Sequence, residues 1–219
     1  MTRRIALVCV AASAALATAA VVAAGDGKEK VRFNPADQAA ARAVVIRRSD
    51  LGSSGWQGGL VKPDLSSLSC PNYHPKLSDL VLTGAAEADF RRSGFEFDSA
   101  GQVLKTRRMV GLDWRRSVLA PGAVSCLRTT LGKGLGTNAK VVSFAKLRFP
   151  RVATYTALFR AVIAVQAPGR TVRVLADIVL AGRGRTELSL SVAGPAAAKT
   201  AISAAERRLA RLLISRARA

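Results

Sequence analysis

Residues 154–193 read TYTALFRAVIAVQAPGRTVRVLADIVLAGRGRTELSLSVA. Side chains on a β-strand alternate between its two faces, so every second residue shares a surface. One row of residues 154–167 is Tyr155, Ala157, Phe159, Ala161, Ile163 and Val165, apolar throughout. In residues 171–181 the row Val172, Val174, Ala176, Ile178 and Leu180 does the same. In residues 185–193, Thr186, Leu188, Leu190 and Val192 oppose Arg185, Glu187, Ser189 and Ser191. Pro168-Gly169 and Gly182-Arg183-Gly184 supply turns between the segments. Upstream, residues 140–149 alternate too, with Val141, Ala145, Leu147 and Phe149 in one row. The four segments predict an antiparallel meander with one buried face. The opposite faces then carry Lys140, Lys146, Arg148, Arg160, Arg173 and Arg185, with Asp177 and Glu187 among them.

On the C-terminal side, Gly194-Pro195 opens a helix whose Ile202, Ala205, Leu209 and Leu212 recur at helical spacing. It is expected to cover the apolar side of the sheet. On the N-terminal side, Asn34-Pro35 reads as N-cap and first-turn proline ahead of a helix ending near Ile46. A glycine-rich loop, residues 52–59, surrounds Trp56. Residues 61–79 hold three prolines and Cys70, an irregular excursion. Residues 85–93 and 101–106 are expected as strands. Residues 107–118 suit a helix with Val110, Trp114 and Val118 on one side. Pro121 opens another, containing Val124, Cys126, Leu127 and Leu131 and stopped by Gly132, Gly134 and Gly136. The fold class is therefore α+β. A twisted antiparallel sheet ends in a four-strand meander and is packed by N-terminal, middle and C-terminal helices.

The first segment addresses compartment. Thr2-Arg3-Arg4 precedes an uncharged, alanine-rich run from Ile5 to about Ala24, closed by small residues. That is the layout of a secretory signal, residues 1–24, with a membrane anchor as the alternative. Residues 25–33 read as a flexible leader and residues 34–217 as one domain. Removal of the signal takes Cys9 with it and leaves Cys70 and Cys126. An even number in an exported chain predicts one disulfide between them, against the alternative of two free thiols.

The chain has 34 Lys+Arg against 14 Asp+Glu, a formal charge of +20. That charge suits an anionic cell-envelope polymer, lipid headgroups or an acidic partner. The basic last helix suits peripheral membrane contact, although its alanine-rich apolar side is weak for that purpose. Nucleic acid fits the charge but not the export signal, and the interleaved aromatics of single-strand binders are missing. Catalytic chemistry finds little support. The single histidine, His74, reads as an exposed loop residue without the further ligands a metal site needs. No Gly-x-Ser-x-Gly elbow exists for a hydrolase triad. Glu87 with Asp89, and Glu96 with Asp98, lie beside arginines or turns and read as surface charge balancing. Gly132-Lys133-Gly134-Leu135-Gly136 lacks phosphate-loop spacing. No catalytic residue, cofactor or metal is assigned.

The order of Ala43-Val44-Val45-Ile46-Arg47-Arg48-Ser49-Asp50-Leu51, Gly55-Trp56, the cysteine pair, Leu82-Thr83-Gly84-Ala85, the meander and the last helix resembles small secreted sensor-like domains of actinobacteria. These include extracellular domains of some Ser/Thr protein kinases and related envelope lipoproteins. The chain has one cysteine pair where the kinase-linked form has two. The resemblance implies a sheet with a cleft, and ligand binding in the cell envelope. The expected function is a secreted, non-enzymatic ligand-binding domain for a small molecule or envelope component. Its alternative is an electrostatic binder of anionic polymer or membrane. Candidate ligand contacts are Trp56, Trp114, Arg160 and Arg173; either tryptophan could equally be a core residue.

Overall fold

The computed structural model describes residues 29–52, 54–65, 70–71 and 73–217. The segment read as a signal, residues 1–24, lies outside them. Within them the chain is α+β. The strands are β1 (Lys30–Val31), β2 (Gln57–Val61), β3 (Val81–Arg92), β4 (Phe95–Leu104), β5 (Ala139–Leu147), β6 (Tyr155–Ala167), β7 (Arg170–Arg183) and β8 (Thr186–Pro195). The helices are α1 (Pro35–Ala43), α2 (Arg107–Asp113), α3 (Ala123–Gly134) and α4 (Lys199–Ser215). All eight strands form one sheet in the order β1-β3-β4-β8-β7-β6-β5, with β2 also pairing along β3. Only β1 against β3 is parallel. Thus Lys30 and Val31, inside the stretch expected as a flexible leader, are hydrogen-bonded into the sheet.

The expected meander is present as β5 to β8, but β6, β7 and β8 carry buried residues on both faces, while the edge strand β5 stays largely exposed. Pairing sets Phe159 beside Ile178 and Ala157 beside Leu180, which places the β6 and β7 apolar rows on one side. On β8 the row Leu188, Leu190 and Val192 pairs with Ala181, Val179 and Asp177, and so faces the other side. That second side packs under α1 and α4, against Ala41, Val44, Ile202, Leu209 and Leu213. The first packs under the α2–α3 layer, where Trp114, Val118, Cys126 and Leu127 meet Phe159, Ile178 and Leu180. The molecule is therefore three layers, helix on sheet on helix.

Two local departures follow from register. A bulge between Val141 and Ser143 shifts β5 by one residue. A one-residue slip exchanges the faces, so Val141 and Phe144 lie with Ile163 and Ala161, while Ala145 and Leu147 lie opposite them. The expected single row through Val141, Ala145 and Leu147 is thereby broken. The hairpin β3–β4 is longer than the two expected strands. Ser93 and Gly94 have φ of 44° and 81°, the two left-handed positions of a tight hairpin turn. Glu96, Asp98, Ser99, Gly101 and Gln102 are poor strand formers, which hides β4 from a propensity reading.

Local chemistry accounts for the helices. Asn34 Oδ1 accepts from the Asp37 amide at 2.9 Å, the expected cap of α1. The α1 backbone lies close over Gly84 and Gly101, where a Cβ would come within 2.2 Å of the Asp37 carbonyl oxygen and 2.6 Å of that of Ala41. The helix expected over residues 107–118 begins as α2 and finishes as a π-turn, Trp114–Val118, with the Leu119 amide bonded to the Trp114 carbonyl at 3.1 Å. β8 continues through Gly194 and Pro195, so α4 begins at Lys199, later than expected.

α4 is held by charge as well as apolar packing. Arg216 clasps Asp50 with contacts of 2.9 and 2.5 Å, and Arg208 donates to the Asp50 carbonyl at 2.8 Å. On its sheet side, Glu206 and Asp177 are 1% and 0% exposed. Two carboxyls so placed stay together only if one keeps its proton. Burial and then the hydrogen bond to Asp177 raise the Glu206 carboxyl to about 8.

Two outcomes test these contacts. Cys70 and Cys126 are bonded, with Cα atoms 5.6 Å apart and a separation of 56 in sequence. Closing a loop of that length stabilises by about 4 kcal/mol on chain-entropy grounds, so urea unfolding of the Cys70→Ala/Cys126→Ala protein should show a loss of that order. Glu206 binds its proton more tightly folded than unfolded, where a glutamate titrates near ~4.3. Wild-type stability should therefore fall relative to Glu206→Gln as pH rises from ~4.3 to about 8. Melting temperatures of the two proteins that keep a constant difference from pH 4.5 to 9 would refute the assignment.

Candidate functional site

The sheet face beneath the α2–α3 layer carries an unusual set of residues. Pairing aligns Ala85, Gln102 and Glu187, then Glu87, Ala100 and Ser189, then Asp89, Asp98 and Ser191. Beyond them Arg91 pairs with Glu96. Acids and small polar groups therefore run side by side across β3, β4 and β8. They are not the surface charge balance expected: Glu87, Glu96 and Asp98 are 4%, 6% and 8% exposed. Arg91 Nε reaches Glu96 at 2.7 Å. Burial, then the neighbouring Glu96 and Asp89, raise the Asp98 carboxyl to about 8.

At the α2 end of this face lies a cavity of about 50 Å³. Gln102 and Ala100 of β4, Glu187 and Ser189 of β8, and Asp113, Trp114 and Ser117 of the helix end line it. Asp113, Trp114 and Ser117 stand at i, i+1 and i+4 where α2 passes into the π-turn and so lie on one side of it, and such turns recur at functional sites. Trp114 is buried and stacks on Tyr155 with ring centroids 5.4 Å apart. Tyr155 in turn fills the notch over Gly111 and Gly182, where a Cβ would approach it to 2.8 and 3.1 Å. Arg116 anchors the turn to the disulfide-bearing segment, bonding Asp79 at 2.6 and 3.0 Å and the Lys76 carbonyl at 2.6 Å.

Electrostatically the cavity is an acid pair. Ser117 Oγ donates to Asp113 Oδ1 at 2.6 Å. Glu187 and Asp113 act on one another, an interaction that raises the Glu187 carboxyl and lowers that of Asp113. Burial first, then the Asp113 charge, raise the Glu187 carboxyl well above its usual range. Burial likewise raises Asp113, against the bond from Ser117. Glu29, ahead of β1, is pushed up to about 7 by burial and then by Asp113. The Glu187 Oε1 atom is closed off from solvent and has no hydrogen-bond partner. Among the described residues, no group of three or more His, Cys, Asp or Glu is arranged to hold a metal ion.

The four sequence candidates are not brought together. Trp114 forms part of the cavity wall. Trp56 lies on the opposite side of the sheet, edge-on to Phe97 at 5.0 Å. Arg160 is under α4, where its Nε donates to Asp177 at 2.6 Å and its Nη2 to Ser203 at 3.0 Å. Arg173 is exposed toward the other end of β7. The shallow positive face expected of the meander is divided. Arg185 bonds Asp37 and the Leu104 carbonyl, Glu187 points to the α2 side, and Lys146 lies over Phe159 at 6.0 Å. Glu187 and Asp113 were missed because a lone acid in a strand and one at a helix end carry no spacing motif. His74 is exposed, as expected, and its Nε2 lies 2.9 Å from the Pro71 carbonyl.

The Arg160–Asp177 contact is structural and can be tested as such. Removing one partner of a buried pair strands a charge at a loss of roughly 3–5 kcal/mol, whereas replacing both is often close to neutral. Arg160→Leu should therefore unfold at markedly lower urea concentration than wild type. Arg160→Leu/Asp177→Leu should recover most of the difference.

No protein-family model matches the chain, and no curated protein sequence matches it. Among solved structures, it is similar to an uncharacterised protein of Mycobacterium smegmatis, an Rv0999 ortholog, at 13% identity and a TM-score of 0.44, covering 84% of this chain and 98% of that one. It is similar also to the extracellular domain of PknH from Mycobacterium tuberculosis, at 11% identity and a TM-score of 0.45, covering 83% and 98%. At these values the likeness is one of outline, and no functional residue is carried across it.

Proposed function

We propose that the chain is an exported, non-catalytic, sensor-like domain of the cell envelope that binds a ligand at the Trp114 cavity. The observation that carries this reading is Glu187, a residue lining the cavity whose Oε1 is buried without a hydrogen bond. An unsatisfied buried acceptor is destabilising by about 1–3 kcal/mol, and a ligand group that donates to it removes that penalty. The volume limits what enters. Whole drug-sized ligands occupy roughly 300–1,000 Å³, so about 50 Å³ accepts a head group while the rest of the ligand stays outside. The export reading is supported by the residue 1–24 pattern and by the Cys70–Cys126 bond, since disulfides persist in oxidising compartments. The non-catalytic reading is supported by the placement of His74 in an exposed loop, outside the cavity lining.

A second reading, electrostatic binding of an anionic envelope polymer or membrane surface, is favoured by a different place. Lys140 and Arg173 flank Ala164 in register on one face, both exposed, near the open edge of the sheet. Contact there would weaken steeply with salt.

Native mass spectrometry of the protein purified from an exporting host separates the two. Ala100→Leu projects a larger side chain into the cavity. A small-molecule adduct seen on wild type and absent from Ala100→Leu is the expected result. Equal adducts on both proteins, or no adduct together with salt-sensitive polyphosphate binding lost in Lys140→Ala/Arg173→Ala, would move the function to the basic edge.

A further inference from the structure

We propose that the group taken by the cavity is a primary ammonium, seated between Asp113 and Glu187, the two acids of its lining. This rests on the ligand-binding reading above and names its chemical class.

Charge is the first argument. The chain has 34 Lys+Arg, yet no lysine, arginine or histidine is among the residues lining the cavity. Two of its lining residues are acids, and Glu29 is close enough to raise and be raised by them. Asp113 feels Arg116 only weakly, behind burial and two hydrogen bonds, and Arg116 itself is committed to Asp79. The other groups facing Glu187 and Asp113 are uncharged: Gln102 of β4, Ser189 of β8, Ser117 of the π-turn, and Tyr73 of the disulfide-bearing segment. A protein with so many cations has kept them all out of one small pocket and set two carboxyls there.

Geometry is the second. An ammonium is a compact charge with three N–H donors. The lining sets Asp113 and Glu187 beside the side-chain oxygens of Gln102 and Ser117. Among the described residues no group of three or more His, Cys, Asp or Glu is arranged to hold a metal ion. The volume of about 50 Å³ suits a –CH2–NH3+ terminus rather than a broad planar guanidinium.

The exchange balances without any other reactant. In the empty site burial and the Asp113 charge favour the protonated Glu187 carboxyl. The entering ammonium keeps its own three protons, donates hydrogen bonds to both carboxylates, and the Glu187 proton leaves to solvent. Net charge in the pocket is unchanged. Binding is therefore linked to proton release, and affinity rises by up to tenfold per pH unit while the pair still holds its proton.

The chain has two tryptophans, one at the site and one on the opposite side of the sheet. Their indole N–H signals in a proton–nitrogen correlation spectrum serve as reporter and control, assigned with Trp56→Phe. Methylammonium chloride is titrated at constant ionic strength at pH 6, 7 and 8, with methanol as the uncharged probe of similar size. The expected result is a saturable shift of the Trp114 signal with Trp56 unmoved. Half-saturation should fall several-fold per pH unit. In Glu187→Gln it should rise at least tenfold and lose its pH dependence, with Asp113→Asn as the second variant and the Trp56 signal reporting that each is folded. A methylammonium response unaltered by pH and by both variants overturns the proposal, as does no response at any pH. Methanol shifting Trp114 where methylammonium does not also overturns it, but leaves ligand binding at the cavity standing. The Ala100→Leu comparison tests that broader reading separately.

Discussion

A strand buried on both faces can carry an ionisable side chain only if the charge is neutralised where it lies. β4, β7 and β8 are such strands, and between them they hold Glu96, Asp98, Asp177 and Glu187. Each is managed differently. Asp177 receives Arg160 on one side and protonated Glu206 on the other. Glu96 is met by Arg91 from the neighbouring strand. Glu187 is pushed toward its neutral form by burial and by the Asp113 charge. The helices that create the burial supply half of these partners, so the layers and the charges specify one another. α4 brings Glu206 and Ser203, and the α2 end brings Asp113 and Ser117.

The result is a charge distribution that composition hides. A chain of formal charge +20 is basic mainly on its outside. Asp37, Asp50, Asp79 and Asp177 are each clasped by an arginine that ties one element to another. Glu87, Asp89, Glu96, Asp98, Asp113 and Glu187 instead share a single sheet face. Arg91 is the one basic partner paired among them within the described contacts. A ligand approaching this protein therefore meets a positive exterior, while the small pocket under Trp114 favours positive charge. The two readings of function correspond to those two regions.

Much of the architecture was legible from residue order. The α1 cap at Asn34, the turns at Gly169 and Gly184, the apolar rows of β6, β7 and β8, and the pairing of Cys70 with Cys126 all depend on neighbours in sequence or on simple counting. β4 was only half seen, because its polar alternation belongs to a strand whose partners, not its own residues, make it a strand. The bulge in β5 was invisible for the same reason: nothing in residues 139–147 marks where the partner strand shifts. Of the site, Trp114 was named, but beside Trp56, Arg160 and Arg173, which the fold sends elsewhere.

Period and composition settle which residues can be strands and helices, since burial of alternate side chains is a local property of the chain. They also single out Cys70 and Cys126 as the pair that the structure joins. They do not settle which face of the sheet each row occupies, because that depends on pairing between strands distant in sequence. Asp113 and Glu187, 74 positions apart, become an acid pair only when β8 lies against β4 and the π-turn folds over both. Two carboxyls act on one another only when they are brought close, and tertiary structure alone provides that.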